Sequence, residues 1–241
     1  MSFENNSDLT RDEKTKKLEE VRRTIANCTK CKLSKTRNKT VPGEGDPNSE
    51  IIFIGEAPGE NEDKQGIPFC GAAGKFLDQM LESIGMSRDD VFIANTVKCR
   101  PPGNRDPEDE EKEACRPYLE EQFELINPIL IICLGKHSTA TFLPGLGSIS
   151  NLHGKAVRRS NGKVYLPLYH PAAALHNGSL RDVLISDFSK IPEIIKKAKK
   201  INAEKSKTSV SAGLPSLDGS VSAGASPDGN KENHIIQNKL I

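Results

Sequence analysis

Four of the six cysteines have a spacing that suits one shared metal centre. Cys28 and Cys31 form a Cys-x-x-Cys pair, while Cys99 and Cys115 lie far along the chain, each two residues before a proline. Zinc ribbons usually repeat the close pair and this chain does not, so the spacing favours an iron–sulfur cluster over zinc. Reduced cysteines that bind no metal are the remaining alternative. Cys133 lies in an apolar run and is interpreted as a small core residue.

Polar side chains follow four short apolar runs, at the point where each run ends. Glu56 follows the first run, Asn95 belongs to the end of the second, a Gly135-Lys136 turn follows the third, and His170 ends the fourth. In an open parallel sheet the ligand site lies beyond the carboxyl ends of the strands. We therefore expect a carboxylate, an amide and an imidazole to converge at one edge of a sheet.

The elements that must position these residues alternate along the chain. The four runs, at residues 51–55, 91–96, 129–135 and 164–170, are rich in β-branched and aromatic residues and predict strands. Apolar periodicity predicts helices over residues 8–26, 75–84, 136–143 and 186–200. A further helix should open at Asp106-Pro107 and break near Cys115, because Pro117 cannot donate a helix hydrogen bond.

This alternation predicts an α/β fold, a mostly parallel sheet covered by helices on both faces. The chain of 241 residues is long enough for one folded domain, which we assign to residues 1–202. Residues 203–241 lack aromatic side chains and are rich in Ser, Gly, Pro, Asn and Lys, which predicts a disordered tail. The more apolar end, residues 234–241, is either a docking peptide or a chance terminal sequence.

Composition and net charge exclude few classes of function, but the distribution of apolar residues indicates a cellular compartment. Lys and Arg number 34 against 33 Asp and Glu, so net charge alone does not indicate a nucleic-acid partner. The sequence shows neither a signal-peptide core nor an apolar run of about 20 residues that could span a membrane. A cytoplasmic protein with no membrane association is expected, and in that reducing compartment metal ligation suits cysteines better than disulfides.

Several motifs occur in the order found in one known family. They are Cys28-x-x-Cys31, Gly55-Glu56-Ala57-Pro58-Gly59 with Glu62-Asp63, Pro68-Phe69, Asn95, Lys98-Cys99-Arg100-Pro101-Pro102-Gly103-Asn104-Arg105, Cys115 and His170-Pro171-Ala172. Together they resemble the family 4 uracil-DNA glycosylases, the iron–sulfur branch of that superfamily, over residues 28–200. The resemblance implies a three-layer α/β/α sandwich with a four-stranded parallel sheet. It also implies a [4Fe-4S] cluster held by Cys28, Cys31, Cys99 and Cys115.

The resemblance implies an enzyme that flips uracil out of DNA and hydrolyses its N-glycosidic bond, leaving an abasic site for base excision repair. By similarity, Phe69 stacks on the base and the Asn95 amide pairs with its O4 and N3 edge. His170 donates a hydrogen bond to O2, where negative charge accumulates. Glu62 lies near C5, and Glu56 orients water or stabilises the sugar cation.

Gly55 and Ala57 complete the predicted substrate-binding set. Ala57 is a departure from the best-known branch of the superfamily, which has an aspartate at the aligned position. That departure is normal for family 4. It predicts catalysis that depends on leaving-group stabilisation more than on deprotonating water.

Contact with uracil-containing DNA, single- or double-stranded, should come from basic side chains that contact the DNA backbone and from an apolar wedge. Arg105 and Lys155 are the predicted backbone contacts, and Ala174 and Leu175 belong to a loop that enters the minor groove, with Leu175 as the wedge. Arg100, Arg158 and Arg159 are further candidates. The protein is expected to act as a monomer.

Two other functions are also compatible with the sequence. One is the uracil-crosslinking relative, which uses a histidine in a basic inserted loop; here His153 is present but the basic insertion is not. The other is a noncatalytic iron–sulfur DNA-binding or scaffold protein whose tail recruits a replication partner. Gln237 and Leu240 resemble part of a sliding-clamp peptide, although the usual aromatic pair is missing.

Overall fold

The computed structural model describes residues 9–211 and 234–235 of the chain. Within them, the strands are β1 (Glu44–Gly45), β2 (Ile51–Gly55), β3 (Phe92–Asn95), β4 (Leu130–Leu134), β5 (Val157–Arg158), β6 (Val164–Leu168) and β7 (His234–Ile235). The helices are α1 (Arg11–Ala26), α2 (Glu60–Gln65), α3 (Ala72–Ser83), α4 (Asp109–Ile126), α5 (Gly135–Phe142), α6 (Ile149–Leu152), α7 (Pro171–His176), α8 (Gly178–Phe188) and α9 (Ile191–Ser211). None of these helices is both long enough and apolar enough to cross a bilayer.

The centre of the sheet is a set of parallel strands in the order β3, β2, β4, β6. These are the four strands that the sequence predicts, so the parallel core is confirmed. Short antiparallel strands extend it: β1 pairs with β3, β5 with β6, and β7 with β5. The extensions were not predicted, because two residues are too few to show an alternating pattern.

Helices cover both faces of the sheet. Along β2, Ile51 and Phe53 belong to a core that includes α3, α8 and α9, whereas Ile52 and Ile54 belong to a second core that includes α4. Strands buried on both faces are apolar at every position, which explains why the four runs are so clear in the sequence. The predicted three-layer α/β/α sandwich is confirmed.

Most helices lie where the apolar periodicity predicts them, but one predicted helix is divided into two. The helix predicted over residues 186–200 is two helices, because α8 ends at Phe188 and α9 begins at Ile191. Pro192, the second residue of α9, lacks an N–H and is favoured in a first turn, so the chain restarts a helix there. The α9 helix continues to Ser211, past the boundary predicted at residue 202. The rest of the predicted tail, apart from β7, lies outside the described residues.

The predicted break near Cys115 is wrong. The α4 helix begins two residues later than expected, with Glu108 as its N-cap, and runs unbroken from Asp109 to Ile126 with Pro117 inside it. The missing Pro117 N–H would have bonded the Glu113 carbonyl, and both residues are exposed. Water can therefore solvate the free carbonyl, and the helix continues.

Replacing Pro117 with alanine should stabilise the protein. The substitution supplies an N–H for the Glu113 carbonyl and removes a residue that disfavours helix interiors by about 3 kcal/mol relative to alanine. Because the native helix already accommodates the ring, we expect the free energy of unfolding to rise by about 1–2 kcal/mol. Denaturant titration followed by circular dichroism measures it. As a control, Glu121→Ala, at an exposed position on the same helix, should change the free energy of unfolding by less than about 0.5 kcal/mol. A destabilised Pro117→Ala variant would contradict this account of α4.

Candidate active site and metal centre

A cavity of about 370 Å³ opens at the carboxyl ends of the parallel strands. Residues that follow β2, β3 and β6 line it, together with the segment before α4. The lining residues are Glu56, Ala57, Pro58, Gly59, Glu62, Phe69, Ala73, Asn95, Pro101, Asn104, Arg105, His170 and Ala172. Every residue predicted to be catalytic is therefore brought to one cavity, as are Ala57, Phe69 and Asn95 of the predicted substrate-binding set.

The floor of the cavity depends on a glycine. Strand register places Gly55 beside Asn95, a residue that is 2% exposed. A Cβ atom at position 55 would lie 2.3 Å from Asn95 Oδ1 and 2.8 Å from Cζ of Phe69. Only glycine permits that approach, so Gly55 acts by leaving room for the amide and the ring rather than by a contact of its own.

His170 lies against the Phe69 ring, with the ring centroids 5.4 Å apart and the planes 25° from parallel. Its Nδ1 accepts a hydrogen bond from the Ala172 N–H at 3.1 Å, which leaves Nε2 to carry the proton of the neutral ring. Burial lowers the pKa of His170 to about 4. At neutral pH the side chain is thus an uncharged N–H donor with a fixed tautomer.

The Glu62 carboxylate is held by two loops. One oxygen accepts a hydrogen bond from the Gly59 N–H and the other accepts one from the Gly71 N–H, both at 3.1 Å. Gly59 opens α2 and Gly71 opens α3, so the carboxylate ties the loop after β2 to the loop that carries Phe69. A carboxylate engaged in this way positions the wall of the cavity.

Glu56 is the less restrained carboxylate. Burial, with the negative charge of Asp106 as a smaller cause, raises the pKa of Glu56 to about 7. Its Oε1 atom is buried, makes no hydrogen bond within the described residues and lies 3.6 Å from His137 Nδ1. His137 Nε2 in turn lies 3.0 Å from Asp106 Oδ2. A chain of carboxylate, imidazole and carboxylate therefore ends at the cavity.

Sequence reasoning missed His137. The expected site consists of the residues that directly follow each strand, and after β4 these are the Gly135-Lys136 turn. His137 lies one residue further on, in the first turn of α5. His137 is the third residue after the end of β4, one residue beyond Lys136.

The predicted DNA contacts divide between the cavity and other surfaces. Arg105 lines the cavity, and its guanidinium donates to both oxygens of Glu111 at 2.9 and 2.7 Å. Lys155 is exposed but lies outside the lining set. Leu175 is 41% exposed, whereas Ala174 is 4% exposed and packs into the core. The position of Ala174 in α7 turns its side chain inward, and DNA contact at residue 174 stays a prediction.

The further basic candidates are engaged in local hydrogen bonds. Arg100 donates to Asn104 Oδ1, Arg158 to Asn202 Oδ1, and Arg159 to the Phe142 carbonyl. His153, the residue that keeps the crosslinking alternative open, is bonded to Asp187 at 2.7 Å and lies outside the lining set.

A second cavity contains the four cysteines. Cys28, Cys31, Cys99 and Cys115 all line it, with residues from α1, α4 and the segment after β3. Cys133 is fully buried in β4 away from it, as expected of a core residue.

Hydrogen-bond donors point at two of these sulfurs. Arg37 Nη1 lies 3.2 Å from Cys99 Sγ, and the Lys98 N–H lies 3.2 Å from Cys115 Sγ. Donors of this kind stabilise metal-bound thiolates. Four thiols around one cavity, with donors to two of their sulfurs, fit a metal centre better than four unrelated cysteines.

The first cavity has a definite chemical character. A flat aromatic ring, a buried amide and a neutral imidazole donor suit a planar heterocycle that presents carbonyl and N–H edges. The imidazole N–H can also stabilise negative charge that develops on such a ring.

Comparison with known proteins agrees with this geometry. The family model described as the uracil DNA glycosylase superfamily matches residues 42–200. The chain belongs to this superfamily. The chain is 51% identical over 185 residues to the type-4 uracil-DNA glycosylase of Sulfurisphaera tokodaii, which covers 73% of this chain and 84% of the relative.

Two further type-4 uracil-DNA glycosylases are similarly close. That of Saccharolobus solfataricus is 49% identical over 183 residues, covering 71% of this chain and 83% of the relative. That of Archaeoglobus fulgidus is 47% identical over 188 residues, covering 73% and 92%. The family resemblance noted in the sequence is confirmed, and this chain is a type-4 member of the superfamily.

Proposed function

We propose that this protein is a monofunctional uracil-DNA glycosylase, which flips uracil out of DNA and hydrolyses its N-glycosidic bond to leave an abasic site for base excision repair. The observation that carries the proposal is the cavity at the strand ends, where the His170 donor, the buried Asn95 amide and the Phe69 ring lie together. Type-4 family membership supports the same function.

The reaction builds negative charge on the departing uracil and positive charge on the sugar. The neutral His170 ring donates its Nε2–H to uracil O2, and a preorganised donor to such a developing anion contributes about 3–4 kcal/mol to the rate. A charged imidazolium is not needed, since the burial that depresses the pKa of His170 leaves the N–H donor intact.

Recognition of the base comes from the floor and walls of the cavity. Phe69 stacks on the flipped base, and the Asn95 amide pairs with its O4 and N3 edge. Cytosine presents the opposite donor and acceptor pattern, and an unmatched buried pair costs about 1–3 kcal/mol. Glu62, fixed by its two backbone donors, lies near C5, where its bulk excludes the thymine methyl.

Glu56 faces the sugar side of the bond in this proposal. Ala57 supplies no carboxylate, so Glu56 is the acidic side chain left to orient water or to stabilise the sugar cation. It can do so only as a carboxylate. A pKa near 7 makes that role depend on pH in the physiological range.

The four cysteines are assigned to a [4Fe-4S] cluster. When bound, such a cluster would join α1, the segment after β3 and α4 through metal–thiolate bonds, which is a structural contribution. Arg37 and the Lys98 N–H would donate to its cysteine sulfurs. No step of the glycosidic reaction is assigned to it.

DNA binding is assigned to the surface around the cavity. In this assignment Arg105, which lines the cavity, contacts phosphate, Lys155 adds a contact to the DNA backbone, and the exposed Leu175 acts as the wedge. Action as a cytoplasmic monomer on single- or double-stranded DNA stays a prediction. The same holds for recruitment of a sliding clamp by the C-terminal tail, whose residues 236–241 lie outside the described chain.

Removing the His170 donor should slow excision more than removing the Glu56 carboxylate. We expect His170→Ala to lower the single-turnover rate by about 10²–10³-fold, the usual loss for one oxyanion donor, and Glu56→Ala to lower it by a smaller factor. A single-uracil oligonucleotide, treated with alkali after the reaction, gives the rate.

Equal thermal stability of the two variants is the control for folding. The reverse order of the two losses would contradict the assignment of His170 as the main source of rate. A band that shifts on denaturing gels, lost in His153→Ala, would favour the crosslinking alternative. Binding without cleavage by the unaltered protein would favour the noncatalytic one.

The single-turnover rate should rise with pH through about 7. The pKa of Glu56 is raised to about 7, so its carboxylate, the active form, becomes the major species only above that pH. Glu56→Gln should abolish the inflection, and Asp106→Asn should move it to lower pH by removing a charge that raises this pKa. His170, with a pKa of about 4, should add no inflection between about pH 5 and 8.

Glu110→Gln, at an exposed position in the first turn of α4, is the matched control and should keep the inflection. Persistence of the inflection in Glu56→Gln would show that another group titrates.

Serine at any of the four predicted ligand positions should remove iron from the protein. We expect purified unaltered protein to contain iron and acid-labile sulfide, and Cys115→Ser to lose both, because a hydroxyl is a poor replacement for a cluster thiolate. Cys133→Ser is the matched control and should keep them, because Cys133 does not line the second cavity. Zinc without sulfide would identify a zinc site instead.

A further inference from the structure

Phe69 has a backbone conformation that a bulky residue rarely adopts. Its φ angle is 51°, in the left-handed region, which disfavours a residue with a large side chain. Strain of this kind persists only where the surroundings hold it, and it concentrates at functional sites. Phe69 is the residue assigned to stack on the base, so what holds it bears on function.

The carbonyl of Phe69 is confined from one side by α3. A Cβ atom at Gly74 would lie 1.5 Å from the Phe69 carbonyl oxygen, so the first turn of the helix contacts this peptide directly. Confinement limits where the carbonyl can go. It does not by itself supply a donor for the oxygen.

Arg88 supplies the donors. Its Nη2 donates to the Phe69 carbonyl, and its Nη1 donates to the Pro68 carbonyl at 3.0 Å. The guanidinium is a rigid planar fork, so two consecutive carbonyls bound by it are fixed relative to each other. The side chain is 24% exposed and reaches these carbonyls from the short 3₁₀ turn Arg88–Asp90, before β3.

Two carboxylates hold the guanidinium in turn. Arg88 Nε donates to Asp78 Oδ1 on α3 at 2.7 Å, and Nη1 donates to Glu44 Oε1 on β1 at 2.9 Å. The arginine is therefore anchored to two elements while its free donors point at the Phe69 loop.

The Phe69 ring transmits its position to the reacting groups. It lies against the His170 ring, and its Cζ lies at the Gly55 backbone beside the Asn95 amide. If φ of residue 69 relaxed to a negative value, the ring would leave both neighbours. The stack and the imidazole would then have to be assembled after the base arrives.

We propose that Arg88 is a positioning residue for uracil excision, which holds the strained Phe69 peptide and thereby prealigns the stacking ring with His170. This inference rests on the proposed function and adds to it a residue outside the cavity lining. Arg88 acts through Phe69 and touches no substrate.

A double-substitution cycle tests the proposal. Arg88→Ala should lower the single-turnover rate at saturating DNA by about tenfold to a hundredfold, the loss expected from a small displacement of a positioned group. It should also raise the inhibition constant for free uracil. In a Phe69→Ala background, the same substitution should change the rate by less than about twofold, because its effect passes through the ring. Additive losses would overturn the proposal.

Two variants separate positioning from general stability. Arg88→Lys keeps a positive charge for Asp78 and Glu44 but lacks the planar guanidinium fork. Compared with Arg88→Ala, it should therefore restore thermal stability more than it restores the single-turnover rate. Arg22→Ala removes another arginine that donates to a backbone carbonyl, Gly43, away from the cavity, and should leave the rate and uracil inhibition unchanged.

The outcomes distinguish a failure of the proposed function from a failure of the role assigned to Arg88. If the unaltered protein excises no uracil, the proposed function fails. If it does, and Arg88→Lys matches it in both rate and uracil inhibition, only the role of Arg88 fails. Should Arg88→Ala not fold, Arg88→Lys in the same cycle with Phe69→Ala gives the decisive comparison.

Discussion

The pairing of Gly55 with Asn95 across neighbouring parallel strands is the constraint on which the rest of the site depends. Parallel register brings the ends of β2 and β3 to one level, and the missing Cβ at position 55 lets the amide and the Phe69 ring approach the same backbone. The ring then lies against His170 at the end of β6. The strand ends therefore set the position of the Asn95 amide, and Glu62 and Arg88 hold the loop that carries Phe69 against it.

Burial shifts the pKa values of His170 and Glu56 in opposite directions, and both shifts favour the uncharged form of the side chain. It lowers the pKa of His170 to about 4 and raises the pKa of Glu56 to about 7, since in each case the charged form is the one that loses solvation. In the proposed function, the neutral His170 ring is therefore available as a donor to the leaving base throughout the neutral range. The Glu56 carboxylate, assigned to the sugar side, is only partly ionised there. Under that assignment leaving-group stabilisation is the more constant of the two contributions, in keeping with Ala57 in place of an acid.

Sequence reasoning succeeded where one local pattern determined the outcome. Strands buried on both faces are apolar throughout, so β2, β3, β4 and β6 were found, whereas two-residue strands such as β5 carry no pattern. The break expected at Pro117 failed because solvent exposure, a tertiary property, decides whether a lost helix bond is costly. Arg88 and His137 were missed for a related reason: each matters through contacts made far along the chain, to Phe69 and to Glu56, and neither lies in a recognisable motif.

The segment from Asn95 to Cys99 connects the two cavities. Asn95 reads the base in the proposed function, and four residues later Cys99 lines the cysteine cavity. Between them the buried Lys98 donates its ammonium to the Asn95 carbonyl at 3.0 Å and its backbone N–H to Cys115 Sγ at 3.2 Å. A metal centre that fixes Cys99 and Cys115 would therefore also fix the peptide that carries the amide. These short backbone and hydrogen-bond links are the route by which such a centre would pass its fixed position to the base-binding cavity.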